Sequence, residues 1–219
     1  MAKIFQIGAA GGIGRRLSEM LVRSGARVTG MHRWAEQAAV IEGTGAAAVR
    51  GDLIEDSVQR LAELIAGHDV VVFSAGAHGT GVEQTNLIDG KGLEKAVDAA
   101  LRAGVRRFIL VSVFMDAHRG SQSTDGFENY IRVKREADVY LAATDLEWVI
   151  VRPGRLTDGE GSGLVAAGPA LQYGTVSRDN VAEFIHEAIY TPALRRRVIE
   201  LVDGDKPVSA AMRELIDSF

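Results

Sequence analysis

The chain has 219 residues, 47% hydrophobic and 25% charged, with 25 glycines and no cysteine. Without cysteine there are no disulfides, thiolate nucleophiles, iron-sulfur clusters or cysteine-ligated zinc sites, and the composition excludes a disordered, collagenous or coiled-coil chain. The 25 basic and 29 acidic side chains leave a formal charge of -4, so no global positive field exists to hold a polyphosphate backbone and nucleic acid is not an expected partner.

In chain order, strands are predicted at Lys3–Ile7, Arg27–Met31, Ala47–Arg50, Asp69–Phe73, Arg106–Val111 and Glu147–Val151, most of them continuous apolar runs of the kind buried on both faces. Between them, Ile13–Ser24, Ser57–Ala66, Gln84–Ala103 and Glu128–Ala143 carry apolar residues at spacings of three and four, with a short helix at Trp34–Ile41. This alternation predicts an α/β fold, a doubly wound, mostly parallel sheet between two helical layers in a single domain. The 68 residues from 152 through 219 then provide a helix at Asp179–Thr191, a strand at Arg197–Val202 and a helix at Ser209–Asp217. Residues 155–176 hold Gly159, Gly161, Gly163, Gly168 and Gly174 and are expected as a loop, either a cover over the active site or a plain surface connection. The apolar runs fall well short of the roughly 20 residues that span a bilayer, and the chain enters a strand directly after Lys3, so a cytoplasmic protein is expected.

The most informative segment is Gly8-Ala9-Ala10-Gly11-Gly12-Ile13-Gly14, which joins the first strand to the first helix. Gly8 allows the sharp turn, Gly11 the approach of backbone to a pyrophosphate, and Gly14 the close packing of helix on sheet. Ala10, Gly12 and Ile13 complete a turn whose amides point at the ligand from the helix N-terminus. The second strand ends in Met31-His32-Arg33, without the carboxylate that would bind free ribose hydroxyls. A guanidinium there suits a 2′-phosphate, so NADP(H) is expected in preference to NAD(H). Arg15 and Arg16 would be candidates for the same phosphate, with plain solvent exposure as the alternative and the favoured reading for Arg16. Asp52 and Leu53 end the third strand, where they are expected beside the adenine, and Ser74-Ala75-Gly76 after the fourth strand lets backbone lie close to a ribose.

Together with Ser112, Tyr130-x-x-x-Lys134 and Arg152-Pro153-Gly154, these motifs occur in the order found in the short-chain dehydrogenase/reductase superfamily. The chain resembles the atypical branch of that superfamily, small NADP-binding proteins often labelled NAD-dependent epimerase/dehydratase. The resemblance implies a Rossmann fold and catalysis by Ser112, Tyr130 and Lys134, with Pro153 and Gly154 near the nicotinamide and Lys134 also on its ribose. It further implies that Asp89 stands where most of the superfamily has the asparagine of a proton relay. Independently, Tyr130 and Lys134 are four residues apart on a helix, so they share a face, and an ammonium plus an oxidised nicotinamide would ease ionisation of the phenol. Ser112 at the end of the fifth strand would hold a substrate oxygen.

The expected activity is hydride transfer to or from a small hydroxyl or carbonyl compound, or an epimerase-like reaction. A non-catalytic NADP(H)-binding redox sensor or scaffold and a flavin or biliverdin-type reductase stand as alternatives. The histidines at 32, 68, 78, 118 and 186 show no metal-ligand spacing, so no metal is expected, and His78 is expected as a solvated loop residue. The remaining length leaves no room for a separate substrate domain, which argues for a small substrate. A monomer and a homodimer are both open.

Overall fold

The computed structural model describes residues 1–77, 79–117 and 124–218, so His78 and His118 lie outside the described residues. The strands are β1 (Lys3–Ile7), β2 (Arg27–His32), β3 (Ala47–Arg50), β4 (Val70–Phe73), β5 (Arg107–Val111), β6 (Glu147–Pro153), β7 (Arg155–Thr157), β8 (Leu164–Gly168), β9 (Thr175–Ser177), β10 (Arg197–Asp203) and β11 (Lys206–Pro207). The helices are α1 (Gly12–Arg23), α2 (Glu36–Glu42), α3 (Val58–Ile65), α4 (Val82–Thr85), α5 (Leu93–Ala103), α6 (Asp125–Ala142), α7 (Arg178–Ile189) and α8 (Val208–Asp217). Among the described residues the main sheet runs in the order β11-β8-β10-β6-β5-β4-β1-β2-β3. All neighbours from β10 to β3 are parallel, and β8 is antiparallel to both β10 and β11. The order reverses between β1 and β4, which opens a crevice at the carboxyl ends of those strands.

Both faces of the sheet are buried because successive residues of each strand feed opposite layers. In β4, Val70 and Val72 join the core formed with Leu17 and Leu21 of α1, Phe184 and Ile185 of α7 and Met212 of α8. Val71 and Phe73 point the other way, into the core formed with Leu61 of α3, Val97 of α5 and Leu141 of α6. Two buried polar side chains brace this frame. Gln6 in β1 donates from Nε2 to the Gly14 carbonyl at 2.8 Å and accepts from Ser18 Oγ at 2.8 Å, tying strand to first helix. Arg107 in β5 donates to the carbonyls of Ala188, Thr191 and Leu194, placing a cation at the negative end of α7.

Two expectations need correction. The segment 155–176 is not one loop: it contains β7, β8 and the start of β9, with β8 hydrogen-bonded into the main sheet and β7 paired with β9 in a separate two-stranded sheet. These strands have three to five residues, too short to display a period, and the small residues of Leu164-Val165-Ala166-Ala167-Gly168 read locally as loop. The helix expected over Gln84–Ala103 is likewise divided. Residues Asn86–Gly92 form a π-helical segment between α4 and α5, a local widening common at functional sites.

Candidate active site

Two adjoining cavities of about 570 Å³ each open along the crevice and share Gly11, Ser74, Ala75, Gly76 and Ala77 as their common wall. The wall has this shape because the glycine turn has no room for side chains. Gly8 has φ +91°, and a Cβ there would stand 2.5 Å from the amide nitrogen of Ala75. A Cβ on Gly14 would stand 2.2 Å from the Gly8 carbonyl oxygen, so Gly14 lets α1 pack against the turn and itself lines neither cavity. Gly11 precedes α1 with an extended backbone, leaving the first amides of the helix without intrahelical acceptors and open to an anion.

The first cavity is bordered by Gly8, Ala10, Arg33, Asp52 and Leu53, and by Trp34, which the sequence reading passed over. Arg33 donates from Nε to Asp52 Oδ2 at 2.9 Å, and its guanidinium carbon lies 4.7 Å from the centre of the Trp34 ring. Asp52, expected beside the adenine amino group, lines this cavity with its carboxylate engaged with Arg33 and with the Ile54 amide, accepted by Oδ1 at 2.8 Å. Arg15 and Arg16, the further candidates for that phosphate, line neither cavity: Arg16 binds the Asp179 carboxylate and the Gly12 carbonyl.

The second cavity gathers Ser112, Tyr130, Lys134 and Asp89 beside Gly12 and Ile13. Lys134 is buried, with Nζ 3.4 Å from Asp89 Oδ1 and donating to the Val111 carbonyl at 3.1 Å. Asp89, reached from the π-helical segment, accepts from the Ala77 amide at 2.9 Å. Tyr130 stands one turn before Lys134. Burial pushes its phenol above the usual value and Asp89 and Asp138 add to this, outweighing the pull of the Lys134 ammonium in the other direction. The expected easing of its ionisation therefore does not come from the protein alone. Pro153 and Gly154 line neither cavity: both pack at the β6–β10 junction, where the Gly154 amide donates to the Leu201 carbonyl.

Sequence reasoning missed Asp138, although its signal was present, because Tyr130, Lys134 and Asp138 succeed one another at four-residue spacing on one helical face. Arg152 Nε donates to Asp138 Oδ2 at 2.9 Å. Burial pushes the Asp138 carboxyl up, while the Ser112 hydroxyl and the Arg152 guanidinium hold it down. The Ser112 hydroxyl thus faces the Asp138 carboxylate at the end of β5, both of them buried.

The residues fit a dinucleotide. Glycines 8 and 11 leave room for a diphosphate at the start of α1, and the shared wall passes from a cavity with a guanidinium to one with a phenol, an ammonium and a hydroxyl.

Comparison with known proteins agrees. The model of the NAD(P)H-binding family matches residues 8–192. A Bacillus subtilis (strain 168) protein named as an uncharacterized sugar epimerase, YhfK, is 37% identical over 215 residues, 97% of this chain and 100% of that one. Among solved structures, a Bacillus halodurans protein named as a candidate NAD-dependent epimerase/dehydratase superposes with a TM-score of 0.89 at 30% identity, covering 98% of this chain and 100% of that one. ChuY, an anaerobillin reductase from Escherichia coli O157:H7, gives a TM-score of 0.80 at 25% identity, covering 94% and 100% respectively. The chain therefore belongs to the NAD(P)H-binding family, as an atypical protein of the short-chain dehydrogenase/reductase type.

Proposed function

We propose that this protein is an NADP(H)-dependent oxidoreductase acting on a small hydroxyl or carbonyl compound, with Tyr130 as its acid/base. The observation that carries this reading is the gathering of Ser112, Tyr130 and Lys134 in one cavity, directly beyond the glycine turn. When bound, the nicotinamide supplies or takes up the hydride. Ser112 donates a hydrogen bond to the substrate oxygen, and Tyr130 gives that oxygen its phenolic proton in reduction or takes one from it in oxidation. Lys134, whose ammonium is fixed by Asp89 and the Val111 carbonyl, stabilises the phenolate and has one N–H left for the nicotinamide ribose. Asp89 thus serves as the anchor of Lys134. The preference for NADP(H) rests on Arg33: Asp52 engages its Nε, and no hydrogen bond from the described residues occupies its two terminal nitrogens, which suit a 2′-phosphate.

The test is turnover of NADPH against a panel of small aldehydes, ketones and quinones, in the wild type and in Tyr130→Phe. Loss of about 10²- to 10⁴-fold in kcat with NADPH affinity retained is expected; unchanged turnover would remove Tyr130 from the reaction. The likeness to an anaerobillin reductase favours a second reading, reduction of a flavin or a linear tetrapyrrole. Such a reaction needs no phenol, so reduction of either compound at full rate by Tyr130→Phe would select it.

A further inference from the structure

Arg178 stands outside every motif considered so far, yet it reaches the glycine turn. It is the first residue of α7, where a cation opposes the positive end of the helix dipole, and that end is already capped by Ser177, whose Oγ accepts from the Asn180 amide. The helix thus gains nothing from an arginine at this position. What Arg178 faces accounts for it better. A Cβ on Gly12 would stand 2.7 Å from Arg178 Cδ and 3.0 Å from its Nε, so the missing side chain of Gly12 makes room for this arginine against the start of α1. Arg178 also lines the second cavity together with Gly11, Gly12 and Ile13.

Its ion-pair partner is Asp158, with Nη1 3.0 Å from Oδ1. Asp158 lies between β7 and β8 with its side chain 77% exposed, so solvent screens the pair and another anion can take its place. Arg16, the other cation at this helix end, also lies 3.9 Å from Asp158 Oδ1 but is held by Asp179 and the Gly12 carbonyl.

We propose that Arg178 grips the diphosphate bridge of the bound dinucleotide and that Asp158 competes with that diphosphate for the guanidinium, an assignment that rests on the dinucleotide-binding reading above. A diphosphate brings more charge than one carboxylate and adds the free amides of α1, so it wins the exchange. The contact is indifferent to the 2′ position, unlike that of Arg33.

Calorimetric titration of the full chain with NADP+, NAD+ and 2′-AMP tests this. Arg178→Ala is expected to weaken NADP+ and NAD+ by the same factor, at least about tenfold, and to leave 2′-AMP unchanged because it has no diphosphate. Asp158→Asn, at an exposed position, is expected to tighten both dinucleotides severalfold, more at low salt than at high. Dinucleotide affinity unchanged in Arg178→Ala, an equal loss for 2′-AMP, or weaker dinucleotide binding in Asp158→Asn would each overturn the assignment. Should Arg178→Ala fail to fold, the Asp158→Asn titration decides. A wild type that binds neither dinucleotide overturns the reading beneath it as well, whereas a wild type that binds both while the variants behave alike overturns only the role of Arg178.

Discussion

The two cavities share one glycine-lined wall but are built on different principles. The first is the glycine turn, apolar side chains such as Met31, Leu53, Ile54 and Trp34, and one partly exposed ion pair, with the Arg33 side chain 32% exposed. The second places Lys134 and Asp89 at 5% and 1% exposure, one helical turn from the buried Asp138. The first can recognise a ligand through shape and one cation at little cost to the fold. The second has charges whose removal from water must be offset by each other, so its chemistry and its stability are coupled.

That contrast can be broken most forcefully at Lys134. Lys134→Met leaves the Asp89 carboxyl buried without its cation and is expected to destabilise the protein by about 3–5 kcal/mol in denaturant unfolding, with much of the loss recovered in the Lys134→Met/Asp89→Asn double variant. An additive double variant would show that the pair is not coupled. Arg33→Ala is the matching change in the first cavity. There the expected stability cost is under about 1 kcal/mol, while NADP+ affinity falls at least about tenfold, or ~1.4 kcal/mol, and NAD+ affinity stays unchanged. Equal affinities for both dinucleotides in the wild type would remove the role given to Arg33.

A finer probe is the titration of Tyr130. Since burial holds its phenol above the usual value of about 10, the folded state keeps this proton longer than the unfolded chain does. The resulting stability is fully present below about pH 10 and is lost as pH rises through the folded value. Tyr130→Phe should therefore flatten the alkaline loss of stability. In tyrosinate difference spectra, the component missing from Tyr130→Phe should move to lower pH on adding NADP+, whose nicotinamide carries positive charge. A midpoint that stays in place would mean that the ring and the phenol do not face each other.

Much of the nucleotide half was legible because its signals are local. β1 and β3 occupy the residues predicted from their apolar runs, and the glycine turn declares itself within seven residues by its spacing, although the neighbours that Gly8 and Gly12 make room for, Ala75 and Arg178, lie far along the chain. Asp138 was legible in principle, at helical spacing from Tyr130 and Lys134. β8 was not: its five residues, three of them Ala or Gly, become a strand only by pairing with β10, which follows it far along the chain. The π-helical segment that carries Asp89 into the cavity was hidden too, since an apolar pattern does not distinguish a wider helical turn from a regular one.

The amino-acid sequence by itself determined the alternating α/β architecture, the glycine turn after β1 and the helical spacing of Tyr130 and Lys134, all of which depend on residues close together in the chain. Only the tertiary structure decided that Arg33 is shared with Asp52 and Trp34, that Asp89 holds Lys134, that Ser112 lies buried against Asp138, and that Arg178 reaches over Gly12. Those are contacts between elements remote in the chain, and the physical reason they escape a linear reading is that burial and distance, which set the charge state and availability of each group, exist only after the sheet has brought its strand ends together.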